Sequence, residues 1–164
     1  MASLLEISRV VLIGCGATLL MDLWLMVLKR AGVPTLKFAF IGRWVGHLLR
    51  GRVAHASIAA AAPVRNEVLL GWLTHYAVGI AFALLLVGLV GIDWATAPTL
   101  APAVAFGVGT VAFPFLVMQP AMGLGIAASK TATPLRNVLR SLLNHFVFGL
   151  GLFLSARFIE WVSR

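Results

Sequence analysis

Cysteine occurs once in the chain, at Cys15, so no internal disulfide can form. Charge is scarce: Asp, Glu, Lys and Arg make up 11% of the residues, where a soluble domain carries about a quarter. Acids are scarcer still, with none between Lys29 and Arg65. No stretch has the composition of a separate soluble domain. Catalytic signatures are missing too. There is no nucleophile elbow, Walker loop, Gly-x-Gly-x-x-Gly or His-Glu-x-x-His, so no enzyme class is indicated. Without Cys-x-x-Cys-His, covalent haem attachment is excluded.

What fills the chain is apolar. Hydrophobic residues are 61% of the total and the mean hydropathy is +1.01, the composition of an integral membrane protein. The net charge of +8 does not indicate nucleic acid. The basic residues flank apolar runs, where the positive-inside rule and anionic headgroups account for them. Cys15 lies in such a run and reads as an inert packing residue. Met1 to Gly16 faintly resembles a secretory leader, but the apolar run continues to Leu28 without a cleavage site. It reads as a retained helix. Leu12-Ile13-Gly14-Cys15 resembles a lipoprotein site, but the apolar stretch before it is too short.

The expected fold is all-α: a four-helix transmembrane bundle in one domain over 1–164, with spans near 7–28, 67–90, 98–118 and 135–161. Pro114 should kink the third span. Trp94 reads as an interfacial tryptophan in the turn between the second and third. Between the first two spans, Phe38 to Val53 reads as an amphipathic helix lying in the membrane interface. Its basic residues Arg43, His47 and Arg50 recur at spacings of four and three and share one face. The first and third connections hold ten of the thirteen Lys and Arg; Arg9, Arg157 and Arg164 are the rest. That asymmetry places both termini outside and both basic connections in the cytoplasm.

Leu73-Thr74-His75-Tyr76-Ala77-Val78-Gly79 is echoed by Leu143-Asn144-His145-Phe146-Val147-Phe148-Gly149, and Gly14-Cys15-Gly16 by Gly107-Val108-Gly109. The order of these matches suggests a 2+2 internal repeat, its halves related by an axis along the membrane normal. Within it, Asp22, His75 and His145 lie six to ten residues from the cytoplasmic ends of their spans, roughly 9–15 Å along a helix. Intramembrane polar groups are costly and face a protein interior or a cavity.

Asp22, His75, His145, Asn144, Gln119 and Thr74 are therefore the candidate binding residues. Thr74 and Asn144 equally suit interhelical hydrogen bonding. Three chemistries stay open. The two histidines are candidate axial haem ligands. Asp22, His75 and His145 are candidate metal ligands, with His47 and His55 on the approach, although no His-x-x-x-His or Glu-x-x-His spacing supports a metal. An Asp/His chain also suits proton relay or solute binding. The alternative to all three is a non-catalytic scaffold or accessory subunit in which these groups only hold helices together.

Met21-Asp22-Leu23-Trp24, Gly42-Arg43-Trp44, Gly71-Trp72-Leu73-Thr74-His75-Tyr76, Met118-Gln119-Pro120 and Arg140-Ser141-Leu142-Leu143-Asn144-His145 resemble the family catalogued as domain of unknown function 2938 (DUF2938). The resemblance runs over nearly the whole chain. It implies a bacterial, multi-pass inner-membrane protein whose partner is the lipid bilayer. It carries over no catalytic residue, cofactor or substrate. A small solute or a metal remains a candidate ligand, and a homo-oligomer or larger membrane complex a candidate assembly.

Overall fold

A computed structural model describes residues 3–164. The first helix, α1 (Leu4–Arg30), begins at a reciprocal cap. The Glu6 amide donates to Ser3 Oγ, and the Ser3 amide donates to Glu6 Oε2. This satisfies two of the amides a helix start leaves open. Lys29 and Arg30 occupy its last turn, where cations complement the carbonyl end of the helix dipole.

Next come α2 (Phe38–Leu48), α3 (Glu67–Val90), α4 (Leu100–Gly109), the single turn α5 (Gln119–Ala121) and α6 (Pro134–Val162). There is no strand among the described residues. Leu4–Arg30, Glu67–Val90, Leu100–Ala121 and Pro134–Val162 are long and apolar enough to cross a membrane. Their outer faces carry exposed Leu12, Leu19, Leu89, Leu116, Leu143 and Phe158, more bare apolar surface than a soluble monomer keeps.

The span 100–121 is interrupted. Pro114 has no N–H to offer the Thr110 carbonyl four residues back. The Thr110 hydroxyl donates to Gly107 O, a local alternative to the helical ladder. α4 ends there, and Pro114–Met118 continues as a π-helical turn. The kink read from Pro114 is thus a break that begins one turn earlier.

The chain divides into two compact units. One comprises the chain up to Val33, Tyr76–Thr110 and Leu143–Arg164. The other comprises Pro34–His75 and Val111–Leu142. In the first unit, Val10, Ile13, Ala17, Leu86, Phe148 and Leu152 form the buried core. Trp94 belongs to this core, 7% exposed, with its indole N–H on Thr99 O. The 3-10 turn Ile92–Ala95 carries this ring into the core. Small residues set the helix spacing. A Cβ on Gly14 of α1 would stand 2.7 Å from Ile80 Cα of α3. A Cβ on Gly107 of α4 would collide with the Gly149 backbone of α6.

In the second unit, α2 lies against the first turn of α3 at another glycine contact. A Cβ on Gly42 would run into the Glu67 carbonyl, and one on Gly71 into the Phe38 carbonyl. Trp44, Ile58, Ala121 and Met122 form the core of this unit, with Phe40, Val45 and Met118 packed around it.

Candidate functional site

Three interhelical hydrogen bonds draw the polar side chains of the first unit inward. The Tyr76 hydroxyl of α3 donates to Asp22 Oδ2 of α1 at 3.0 Å. The Trp24 indole N–H donates to Asn144 Oδ1 of α6 at 3.0 Å. Thr110 Oγ1 and His145 Nδ1 are 2.8 Å apart. The single Thr110 hydroxyl hydrogen already goes to Gly107 O at 2.6 Å. Thr110 Oγ1 therefore accepts, and His145 carries a hydrogen on Nδ1.

The remaining candidates fall in the second unit. His75 meets the rings of Phe38 and Trp72, at centroid distances of 4.8 and 6.1 Å. Thr74 Oγ1 donates to Leu70 O, a bond within its own helix. Thr74 thus makes a back-bond where an interhelical one was expected. Gln119 is buried, and its Oε1 has no hydrogen-bond partner among the described residues.

Arg43 and His47 turn inward. Both are buried, while Arg50 lies beyond the end of α2 and is exposed. The face that Arg43 and His47 share is covered by protein. Arg43 grips Glu67 at two points, Nε to Oε2 at 2.9 Å and Nη2 to Oε1 at 2.8 Å. Its Nη1 donates to the carbonyls of Ile58, Ala59 and Ala61. Hydrogen bonding to Glu67 raises the Arg43 pKa above its ordinary value, against the opposing cost of burial. His47 Nδ1 lies 2.7 Å from His55 Nε2. Burial, then the charge of Arg52, pushes the His55 pKa below the ordinary histidine value.

Sequence reasoning named Asp22, Asn144 and His145, and it missed their partners. Trp24, Tyr76 and Thr110 read as ordinary residues of apolar spans. The available signal was their adjacency: Trp24 is two residues from Asp22, and Tyr76 follows His75. Among the described residues, no group of three or more His, Cys, Asp or Glu side chains is placed to hold a metal ion. Metal ligation by Asp22, His75 and His145 together gains no support from this arrangement.

No curated protein and no solved structure matches the chain. One family model does, over residues 11–159, nearly the full length. With its apolar spans and the polar pairs inside them, the chain belongs to the family described as "Protein of unknown function (DUF2938)".

Proposed function

We propose that this protein binds or conducts a small solute or a proton across a bacterial inner membrane, with Asp22 as the ion-binding group and His145 as its relay. The protein is then a single multi-pass membrane domain, a four-helix bundle with both termini outside. The observation that carries the reading is the Asp22–Tyr76 bond. A carboxylate inside a spanning helix is expensive to keep, and this one is bonded across helices by the Tyr76 hydroxyl. The 2+2 duplication belongs to the same reading. Gly14 meets α3 beside Gly79, and Gly107 meets α6 at Gly149, so the two contacts use residues aligned by the repeat.

The test is flux in proteoliposomes loaded with a pH-reporting dye, under an imposed proton gradient, with and without candidate solutes outside. The wild type should dissipate the gradient faster than protein-free vesicles. Asp22→Asn should lower that rate about tenfold or more, while its helical content and melting temperature stay close to wild type. Flux equal to empty vesicles under every condition, or unchanged by Asp22→Asn, would overturn the reading.

A second reading, scaffold or accessory subunit, is favoured by the Trp24–Asn144 and Thr110–His145 bonds, which are mutually satisfied pairs. Such bonds hold spans together at about 0.6 kcal/mol each on average. It predicts a silent Asp22→Asn in every assay except stability. A visible spectrum of the purified protein tests the haem reading, through the presence of a Soret band.

A further inference from the structure

The segment from Leu49 to Arg65 contains no long helix and no strand, yet it is tied down closely. Trp44 donates its indole N–H to Val53 O at 2.9 Å. The His55 amide donates to Ala121 O at 2.8 Å, and the Ile58 amide to Met122 O at 3.0 Å. Ile58 is 3% exposed and packs with Trp44 and Met122. At the centre lie His47 and His55, both buried, with nitrogens 2.7 Å apart. Their rings are inclined by 25° with centroids 4.9 Å apart. They therefore meet edge to edge, nitrogen towards nitrogen.

That edge has room for one hydrogen. Between two neutral imidazoles one nitrogen donates and the other accepts. A metal ion between them would need a nitrogen separation of up to about 4 Å, at roughly 2 Å per bond. The observed gap fits a proton and not a metal.

We propose that the His47–His55 pair is a proton-operated latch on the 49–62 connection: uncharged, it pins the connection to α2, and protonated, it lets go. This inference stands on the second unit alone and does not rest on the Asp22 reading.

The surroundings supply the reason. On α2, Arg43 presents a guanidinium whose charge is matched by Glu67 at the start of α3. Glu67 also acts weakly on His47, after Arg43, and does not appear among the charges acting on His55. On the connection, Arg52 adds a positive charge that acts on His55. The segment Gln119–Met122 contributes no titratable side chain. His55 Nδ1 is buried without a hydrogen-bond partner, and the Ala121 backbone favours a cation on this ring less than burial and Arg52 oppose it. The first added proton buries a charge beside Arg52. The second puts two N–H groups face to face and breaks the bond. Burial and Arg52 both push the proton affinity of His55 down in the docked state, and release removes both effects. Docking therefore weakens as pH falls below the ordinary histidine range.

The test is hydrogen exchange on the full-length protein in lipid nanodiscs, with peptides covering 53–62 compared at pH 7.5 and pH 5.0. Rates are corrected for the intrinsic pH dependence of exchange. The wild-type amides of His55 and Ile58 should lose protection at the lower pH, since the docked state takes up protons less readily than the released one. His55→Gln should remove that pH dependence, and His47→Gln, which leaves His55 buried beside Arg52, should lessen it. Should one of them fail to fold by circular dichroism, the other and the wild-type profile decide. Unchanged wild-type protection overturns the latch. So does a pH response that survives in both Gln variants, which would assign the titration to another group such as Glu67. A response abolished by a chelator would overturn it in favour of a metal.

Discussion

Arg43 and Glu67 join α2 to the first residue of α3 through two parallel hydrogen bonds of 2.9 and 2.8 Å. The same guanidinium reaches three carbonyls between Ile58 and Ala61. One side chain therefore fixes an interhelical contact and an irregular connection together. Both partners are largely buried, at 10% and 17% side-chain exposure. Breaking such a pair leaves an uncompensated charge, which costs about 3–5 kcal/mol when burial is complete. Arg43→Met should lower stability by about 3 kcal/mol, and Glu67→Gln, which keeps some hydrogen bonding, by less. Reversible unfolding in mixed micelles measures both. A double variant no worse than Arg43→Met alone would confirm that the two residues act as a unit.

Glycine substitutions should divide into two classes. Gly42→Ala and Gly107→Ala drive a Cβ into a neighbouring backbone. Overpacking of this kind costs about 1–3 kcal/mol. Gly88→Ala in α3 meets nothing within 4 Å and gains about 0.5–1 kcal/mol from helix propensity. Melting temperatures in detergent should fall for the first two and hold or rise for the third. Equal effects at all three would contradict the packing described above.

Tyr76→Phe removes the hydroxyl that donates to Asp22 and keeps the ring. In membrane proteins such a bond contributes about 0.6 kcal/mol on average and up to about 1.7. The stability loss should fall in that range. If Asp22 carries the transport step, the rate of flux should shift in Tyr76→Phe, because the carboxylate has lost a hydrogen bond that positions it. A purely structural Asp22 would show the stability change with no flux to shift.

Arg52→Gln should protect the protein against acid. The docked state binds fewer protons than the unfolded chain while the His55 pKa is held below its ordinary value. Stability from this group is therefore complete above about pH 6.5 and declines as pH falls below it. Removing the Arg52 charge brings the folded-state affinity nearer to the unfolded one and shortens the decline. Melting temperature between pH 7.5 and pH 5 should fall less in Arg52→Gln than in wild type. Added salt should act on the wild type in the same direction, because Arg52 is exposed.

Accessibility should separate two positions of the same basic stretch. In a Cys15→Ser background, Arg50→Cys should react with a water-soluble thiol reagent, and only from the cytoplasmic side if both termini are outside. Ile58→Cys, buried in the core of its unit, should react slowly at neutral pH. Labelling of Arg50→Cys from the periplasm would overturn the proposed topology.

The spans follow from composition alone. A bilayer demands about twenty apolar residues per crossing, and four runs of this chain meet that demand. The same contrast exposes Asp22, Asn144 and His145, because a polar residue within an apolar run is visible without knowing its neighbours. The family is legible in short motifs for the same reason. The start of α1 was also there to be read, since Ser3 and Glu6 carry the spacing of a capping box.

Tertiary structure decided who pairs with whom. Tyr76 meets Asp22 across 54 residues and Trp24 meets Asn144 across 120, and no local periodicity encodes such partners. It also turned Arg43 and His47 inward. Spacing places these residues on one helical face, but whether that face meets water or protein depends on what packs against it. Here the covering is the 49–66 connection, whose backbone forms no regular ladder to announce itself. It is ordered by side chains reaching its carbonyls and by amides bonded more than sixty residues away, at Ala121 and Met122. Helical periodicity records only which residues share a face; the partners that bury that face are brought to it by the fold.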